Sequence, residues 1–187
     1  ALELGGSDPF IVLSTDDLDA TVDMAVEARL DNNGQSCNAP KRFIIIDELY
    51  DAFVEKFVAA MAAAPLGDPF ADDTVIGPLS SLAAAERLEE QVNRAVAQGA
   101  TVELGGARDG AFYPATVLTG VTADNDIYRE ELFGPAGVVY RVADEAEAVA
   151  VANATSYGLG SYVFTTDPAQ AERVADAIDA GMVYVNI

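Results

Sequence analysis

Apolar positions along the chain follow two alternating patterns, short unbroken runs and longer stretches of helical spacing. Phe10-Ile11-Val12-Leu13 is apolar throughout, as a strand covered on both faces would be. Ser14, Thr15 and Asp16 follow as capping candidates, and Leu18, Val22, Ala25, Val26 and Leu30 then share one face of a helix. A polar, glycine-bearing stretch from Asp31 to Asn38 leads to a second apolar run, Phe43-Ile44-Ile45-Ile46. Leu49, Phe53, Phe57 and Met61 recur every four residues with Val54 and Val58 beside them, a stripe that a helix buries against a sheet. Pro65 to Pro78 reads as a loop, and Leu82, Leu88, Val92 and Val96 mark a third helix running toward Gly99. Apolar runs at Thr101–Leu104, Phe112–Leu118 and Gly137–Val142 follow, then an alanine-rich helix over Glu145–Ala154 and the run Ser161–Thr165. Asp167 as cap and Pro168 at the first helical position open a last helix, with Gly181 as its stop, before the run Met182–Ile187. Strands and helices in alternation predict a single layered α/β domain over residues 1–187, a mostly parallel sheet flanked by helices.

Composition narrows the function. Ten basic against 31 acidic residues leave a formal charge of −21 over 187 residues, which repels phosphate backbones and anionic lipid surfaces, so neither nucleic acid nor membrane is expected as a partner. No apolar run approaches the roughly 20 residues that span a bilayer, and the first residues lack the basic start and apolar core of a signal peptide, which points to the cytoplasm. The chain contains no histidine and one cysteine. A Ser-His-Asp triad, a Cys-His pair, a zinc site of N and S ligands and an internal disulfide are all excluded. Neither a GxGxxG fingerprint nor a GxxxxGK loop is present, so this stretch of chain shows no phosphate cradle of its own. The start at Ala1 and the stop at Ile187 inside an apolar run suggest an excised domain.

Two residues remain as candidates for chemistry. Cys37 sits in Asn33-Gly34-Gln35-Ser36-Cys37-Asn38, where amide side chains and a flexible backbone can set hydrogen-bond donors around a nucleophilic sulfur, and where Lys41 and Arg42 add positive charge that favours the thiolate. The plainer reading of a lone cysteine is a small buried hydrophobe. Without histidine, the base must be a carboxylate, and Glu3, between two apolar residues in Leu2-Glu3-Leu4-Gly5-Gly6, is the candidate; partial desolvation would raise its pKa toward that task. Its plainer reading is a solvated residue near a chain end.

Three segments, Leu2-Glu3-Leu4-Gly5-Gly6, Asn33-x-Gln35-x-Cys37 with Arg42, and Glu130-Glu131-Leu132-Phe133-Gly134-Pro135, resemble in order three signature segments of the aldehyde dehydrogenase superfamily. The separation of Glu3 and Cys37 matches as well. Gly34–Arg42 and Tyr157-Gly158-Leu159-Gly160 are most similar to the succinate-semialdehyde dehydrogenase group.

The resemblance implies an oxidoreductase that uses NAD or NADP and takes a small-molecule aldehyde, a short semialdehyde in this group, to the acid. It implies Cys37 as nucleophile forming a thiohemiacetal and then a thioester, and Glu3 as the base that activates the hydrolytic water. It also implies Glu131 and Phe133 at the nicotinamide ribose, and Leu4 and Gly5 along the nicotinamide pocket. The family's nucleotide-binding domain and its C-terminal segment, which completes a homo-oligomer, would lie outside these residues, leaving the 187-residue chain inactive alone. Ser7 stands where many members carry lysine. The contrasting expectation is a degenerate assembly module of the same fold, with Cys37 inert or redox-sensing.

Overall fold

The computed structural model describes residues 4–187. Seven strands form one sheet: β1 Pro9–Val12, β2 Arg42–Ile46, β3 Thr101–Leu104, β4 Thr116–Thr119, β5 Ala136–Val142, β6 Tyr162–Phe164 and β7 Tyr184–Val185, in the order β3-β4-β5-β2-β1-β6-β7. All neighbours run parallel except β3 and β4, which pair antiparallel at one edge. Five helices cover it: α1 Leu18–Leu30, α2 Asp47–Ala62, α3 Leu82–Ala97, α4 Glu145–Asn153 and α5 Pro168–Ala177.

The side-chain alternation of the central strands divides the core into two layers. Phe10, Val12, Phe43, Ile45 and Val139 face α1 and α2, while Ile11, Ile44, Val138, Tyr140 and Val142 face α3, α4 and α5. On the first side the α2 stripe is fully buried through Phe53, Phe57 and Met61, and Phe43 and Phe57 meet with ring centroids 4.6 Å apart. Each such side chain contributes about 1.5–3 kcal/mol through the apolar surface it removes from water.

Four local expectations are corrected. The cap of α1 is Asp17, whose carboxylate accepts from the Ala20 N–H at 3.0 Å; Thr15 supports the turn through Thr21 Oγ1 at 2.8 Å, and Ser14 bonds across to Thr166. The run Phe112–Leu118 becomes a strand only from Thr116, since Pro114 has no N–H to give a ladder. The last helix stops at Ala177 because Ile178 turns extended and buries its side chain, and Gly181 instead donates to the Gly158 carbonyl at 2.9 Å. The closing run Met182–Ile187 contributes only the two residues of β7.

Candidate active site

Each of the three motif segments immediately precedes a strand, and those strands, β1, β2 and β5, are neighbours in the sheet. Because they run parallel, with Pro9 level with Arg42 and Arg42 level with Val138, their leading loops meet at the amino edge of the sheet. Segments up to 125 residues apart in sequence are thereby joined, as the Gly6 N–H donating to Glu131 Oε1 at 2.9 Å shows.

The loop that carries Cys37 is held from below. After α1 the chain makes a 3₁₀ turn, Asp31–Gly34, in which Asn32 and Asn33 take left-handed angles (φ 49° and 58°) that asparagine tolerates better than most residues. Gly34 follows at φ +69°, packed so closely that a Cβ there would lie 2.2 Å from the Gly134 carbonyl oxygen. Arg29 is fully buried on α1; its guanidinium donates to the carbonyls of Gly34 at 2.5 Å and Pro40 at 3.0 Å, bracing both ends of the loop. Lys41, 1 % exposed, donates to the carbonyls of Ala39 at 3.0 Å, Cys37 at 3.3 Å and Ser36 at 3.4 Å. Cys37 itself is half-buried with a free thiol.

The Asn33 amide and the Gln35 amide oxygen are engaged away from the sulfur. Asn33 accepts from the Gly77 N–H at 2.9 Å and donates to the Pro78 carbonyl at 3.2 Å, and Gln35 Oε1 accepts from the Ser80 N–H at 2.9 Å. These side chains fasten the loop to residues 77–80. Arg42 likewise points away from the thiol: its guanidinium donates to Ser7 O at 2.8 Å, Val151 O at 2.7 Å and Ala152 O at 2.9 Å, so of the two cations only Lys41 adjoins the loop.

Gly6 forms the contact between the first and second segments. A Cβ at this position would fall 2.0 Å from the Cys37 carbonyl oxygen, so only hydrogen fits. A Cβ at Gly5 would meet Glu131 Oε2 at 2.9 Å and the Tyr157 ring at 3.0 Å. Leu4 is exposed, and Phe133 is about two-fifths exposed. Glu131 and Phe133 line one pocket of about 310 Å³ with Ser80, Ser81, Arg87 and Gln91. Glu3 lies outside the described residues. A larger groove of about 770 Å³, between α1, α2 and Tyr162, includes none of the candidate residues.

Asp8 is a site-edge residue that sequence reasoning missed. It is 2 % exposed, accepts from the Gly160 N–H at 3.2 Å through Oδ1, and leaves Oδ2 without a hydrogen bond among the described residues. Burial raises its pKa above the ordinary carboxylate value, with Gly160, Lys41 and Arg42 opposing the rise. Burial also pulls the Lys41 ammonium down to about 8, assisted by the like charge of Arg29 and opposed by Glu131, Asp8 and Cys37. Among the described residues no group of three or more His, Cys, Asp or Glu side chains could hold a metal ion. A free, half-buried thiol whose own carbonyl meets a cation, a carboxylate anchored on a backbone amide, and an accessible aromatic ring are a set that could serve carbonyl chemistry next to a sugar-bearing cofactor.

The aldehyde dehydrogenase family model matches residues 1–187. The chain belongs to the aldehyde dehydrogenase family. It is 55 % identical over 188 residues to a succinate-semialdehyde dehydrogenase [NADP(+)] of Deinococcus radiodurans, and 51 % identical to one of Mycolicibacterium paratuberculosis, in each case over 99 % of this chain. Those matches cover 39 % and 40 % of the relatives, so the chain spans about two-fifths of their length. Among solved structures, succinic semialdehyde dehydrogenase from Streptococcus pyogenes in complex with NADP+ superposes with a TM-score of 0.94 at 41 % identity, covering 98 % of this chain and 41 % of that one. Aldehyde dehydrogenase 21 from Physcomitrella patens, in complex with the reaction product succinate, gives 0.95 at 39 % identity, covering 98 % and 38 %. The α/β architecture and mostly parallel sheet are therefore those of the aldehyde dehydrogenase family.

Proposed function

We propose that residues 1–187 form the catalytic domain of an NADP- or NAD-dependent aldehyde dehydrogenase that oxidises succinate semialdehyde, or a similarly short semialdehyde, to the carboxylic acid. The convergence of Gly6, Cys37 and Glu131 at the amino edge of β1, β2 and β5 supports this reading, because the three segments to which the roles of nucleophile, base and cofactor carboxylate are proposed lie together. The substrate class follows the relatives at 50–55 % identity, all named succinate-semialdehyde dehydrogenase [NADP(+)]. The fold alone would not choose it: a salicylaldehyde dehydrogenase from Pseudomonas putida G7 superposes equally well, with a TM-score of 0.94 at 41 % identity.

In this mechanism the Cys37 thiolate adds to the aldehyde carbon, forming a C–S bond and moving negative charge to the carbonyl oxygen, which the Cys37 backbone N–H helps to stabilise. When bound, NADP+ supplies the hydride acceptor that converts this thiohemiacetal into a thioester. Glu131, whose Oε1 accepts the Gly6 N–H, would accept hydrogen bonds from the hydroxyls of the nicotinamide ribose through Oε2, and Phe133 would pack beside that sugar. Leu4 and Gly5 would border the nicotinamide. Glu3 takes a proton from water, which attacks the thioester carbon, expels the Cys37 sulfur and releases the acid. The dinucleotide is held mainly by other parts of the full-length protein, which we place in the cytoplasm as a homo-oligomer. No helix among the described residues is long and apolar enough to cross a membrane.

The test is full-length Cys37→Ala assayed with succinate semialdehyde and NADP+. Loss of turnover with an unchanged melting temperature is expected, and retention of more than a few per cent of kcat would overturn the assignment.

A further inference from the structure

Lys41 is the cation in direct contact with the backbone of Cys37, and the proposed reaction steps do not use it. Its ammonium has three protons, and all three are directed at neutral carbonyl oxygens, those of Ser36, Cys37 and Ala39. Among the described residues the nearest carboxylate oxygen, Glu131 Oε1, stands 3.8 Å away and already accepts the Gly6 N–H. The positive charge is thus buried at the peptide of Cys37 with Glu131 as its ion-pair partner at 3.8 Å and, among the described residues, no carboxylate hydrogen-bonded to it. These 187 residues supply no imidazolium of their own.

We propose that Lys41 is a positioning residue for Cys37, bracing the loop through its carbonyls and lowering the energy of the thiolate through its charge. The proposal rests on the reading of Cys37 as nucleophile. A positive charge buried at the peptide of a half-buried cysteine favours the ionised form of its sulfur. The groups that face the ammonium are Arg29 from α1, which opposes its charge, and Asp8, Glu131 and Cys37, which support it from the segments leading into β1, β5 and β2. Burial adds to the effect of Arg29, so the ammonium loses its proton near pH 8 and its support for the thiolate fades above that.

The test follows alkylation of Cys37 by iodoacetamide in the 187-residue chain between about pH 5.5 and 10, read by intact mass, which a single cysteine makes unambiguous. The midpoint of the wild-type rate against pH is the reference. Lys41→Met and Lys41→Gln should both move that midpoint up by about one unit and slow labelling near pH 6.5 roughly tenfold, with the high-pH plateau unchanged. Gln keeps hydrogen-bond donors without the charge. A folded Lys41→Gln with the wild-type profile would show a brace and nothing more, and would overturn the proposal. So would the wild-type profile in a folded Lys41→Met. A profile insensitive to Lys41 leaves the nucleophile assignment standing, whereas activity in full-length Cys37→Ala removes that assignment without altering the profile.

Discussion

Gly6→Ala is the smallest perturbation that separates the Cys37 loop from the segment carrying the proposed base. The methyl group would start 2.0 Å from the Cys37 carbonyl oxygen and 3.0 Å from its carbonyl carbon, both backbone atoms that no rotamer change can move. Restoring even a 3.0 Å contact requires a relative shift of about 1 Å, the difference between 3.0 and 2.0 Å. The loop resists such a shift, since Lys41, Arg29, Asn33 and Gln35 all fasten it. Overpacking of this kind costs about 1–3 kcal/mol, which for a chain of this size lowers the melting temperature by roughly 2–12 °C. Catalysis should suffer more, because misplacing a reacting group by 1 Å costs on the order of 10²-fold. The assay is kcat of the full-length variant with succinate semialdehyde, beside thermal melting and the alkylation rate of Cys37. Gly67→Ala is the control, its Cβ meeting only the Thr74 hydroxyl at 3.3 Å. A Gly6→Ala enzyme within twofold of wild-type kcat would refute the contact between the two segments.

Three further outcomes are expected. Asp8 has a folded-state pKa raised above 3.8, so the folded chain binds more protons than the unfolded one in the window just above that value, and the cost of burying the charge is complete once pH exceeds the raised pKa. Asp8→Asn should therefore melt higher than wild type near pH 7, with the advantage shrinking as acid protonates Asp8; an advantage that grows in acid would contradict this. Arg29→Met leaves the Gly34 and Pro40 carbonyls without their buried donor and should destabilise the chain by about 2–4 kcal/mol in urea titrations, an unchanged midpoint showing that the brace is dispensable. Among the described residues nine carboxylates pair with a cation in a chain of charge −21, so raising salt from about 0.01 to 1 M should raise the melting temperature, and a flat or falling trend would mean that the charges are already balanced.

The layered fold was legible because its cause is local: unbroken apolar runs such as Phe43–Ile46 need cover on both faces, and the Phe53–Phe57–Met61 stripe supplies it on one side. The gathering of the three motif segments was legible only through resemblance, since nothing in their spacing reveals that β5, β2 and β1 are neighbours. Hydrogen-bond partners were read least well. Asn33 and Gln35 look like donors for the sulfur, yet the loop at 77–80, some 45 residues away, claims them. Arg42 looks like a partner for the thiol, yet the end of α4 presents two carbonyls to it. Arg29 did leave a trace, falling on the buried face of α1 with Val22 and Ala25, where a charge must find partners inside. Asp8 left none, because its burial depends on Gly160, 152 residues further on.

The central claim is that Cys37 carries the acyl group and that Glu3 directs its hydrolysis. Full-length Glu3→Gln, mixed with succinate semialdehyde and NADP+ and quenched within the first turnover, should show a stoichiometric burst of NADPH and, by peptide mass spectrometry, an acyl adduct on Cys37 that persists because hydrolysis has slowed. A burst with no adduct on Cys37, or undiminished steady turnover, would contradict it.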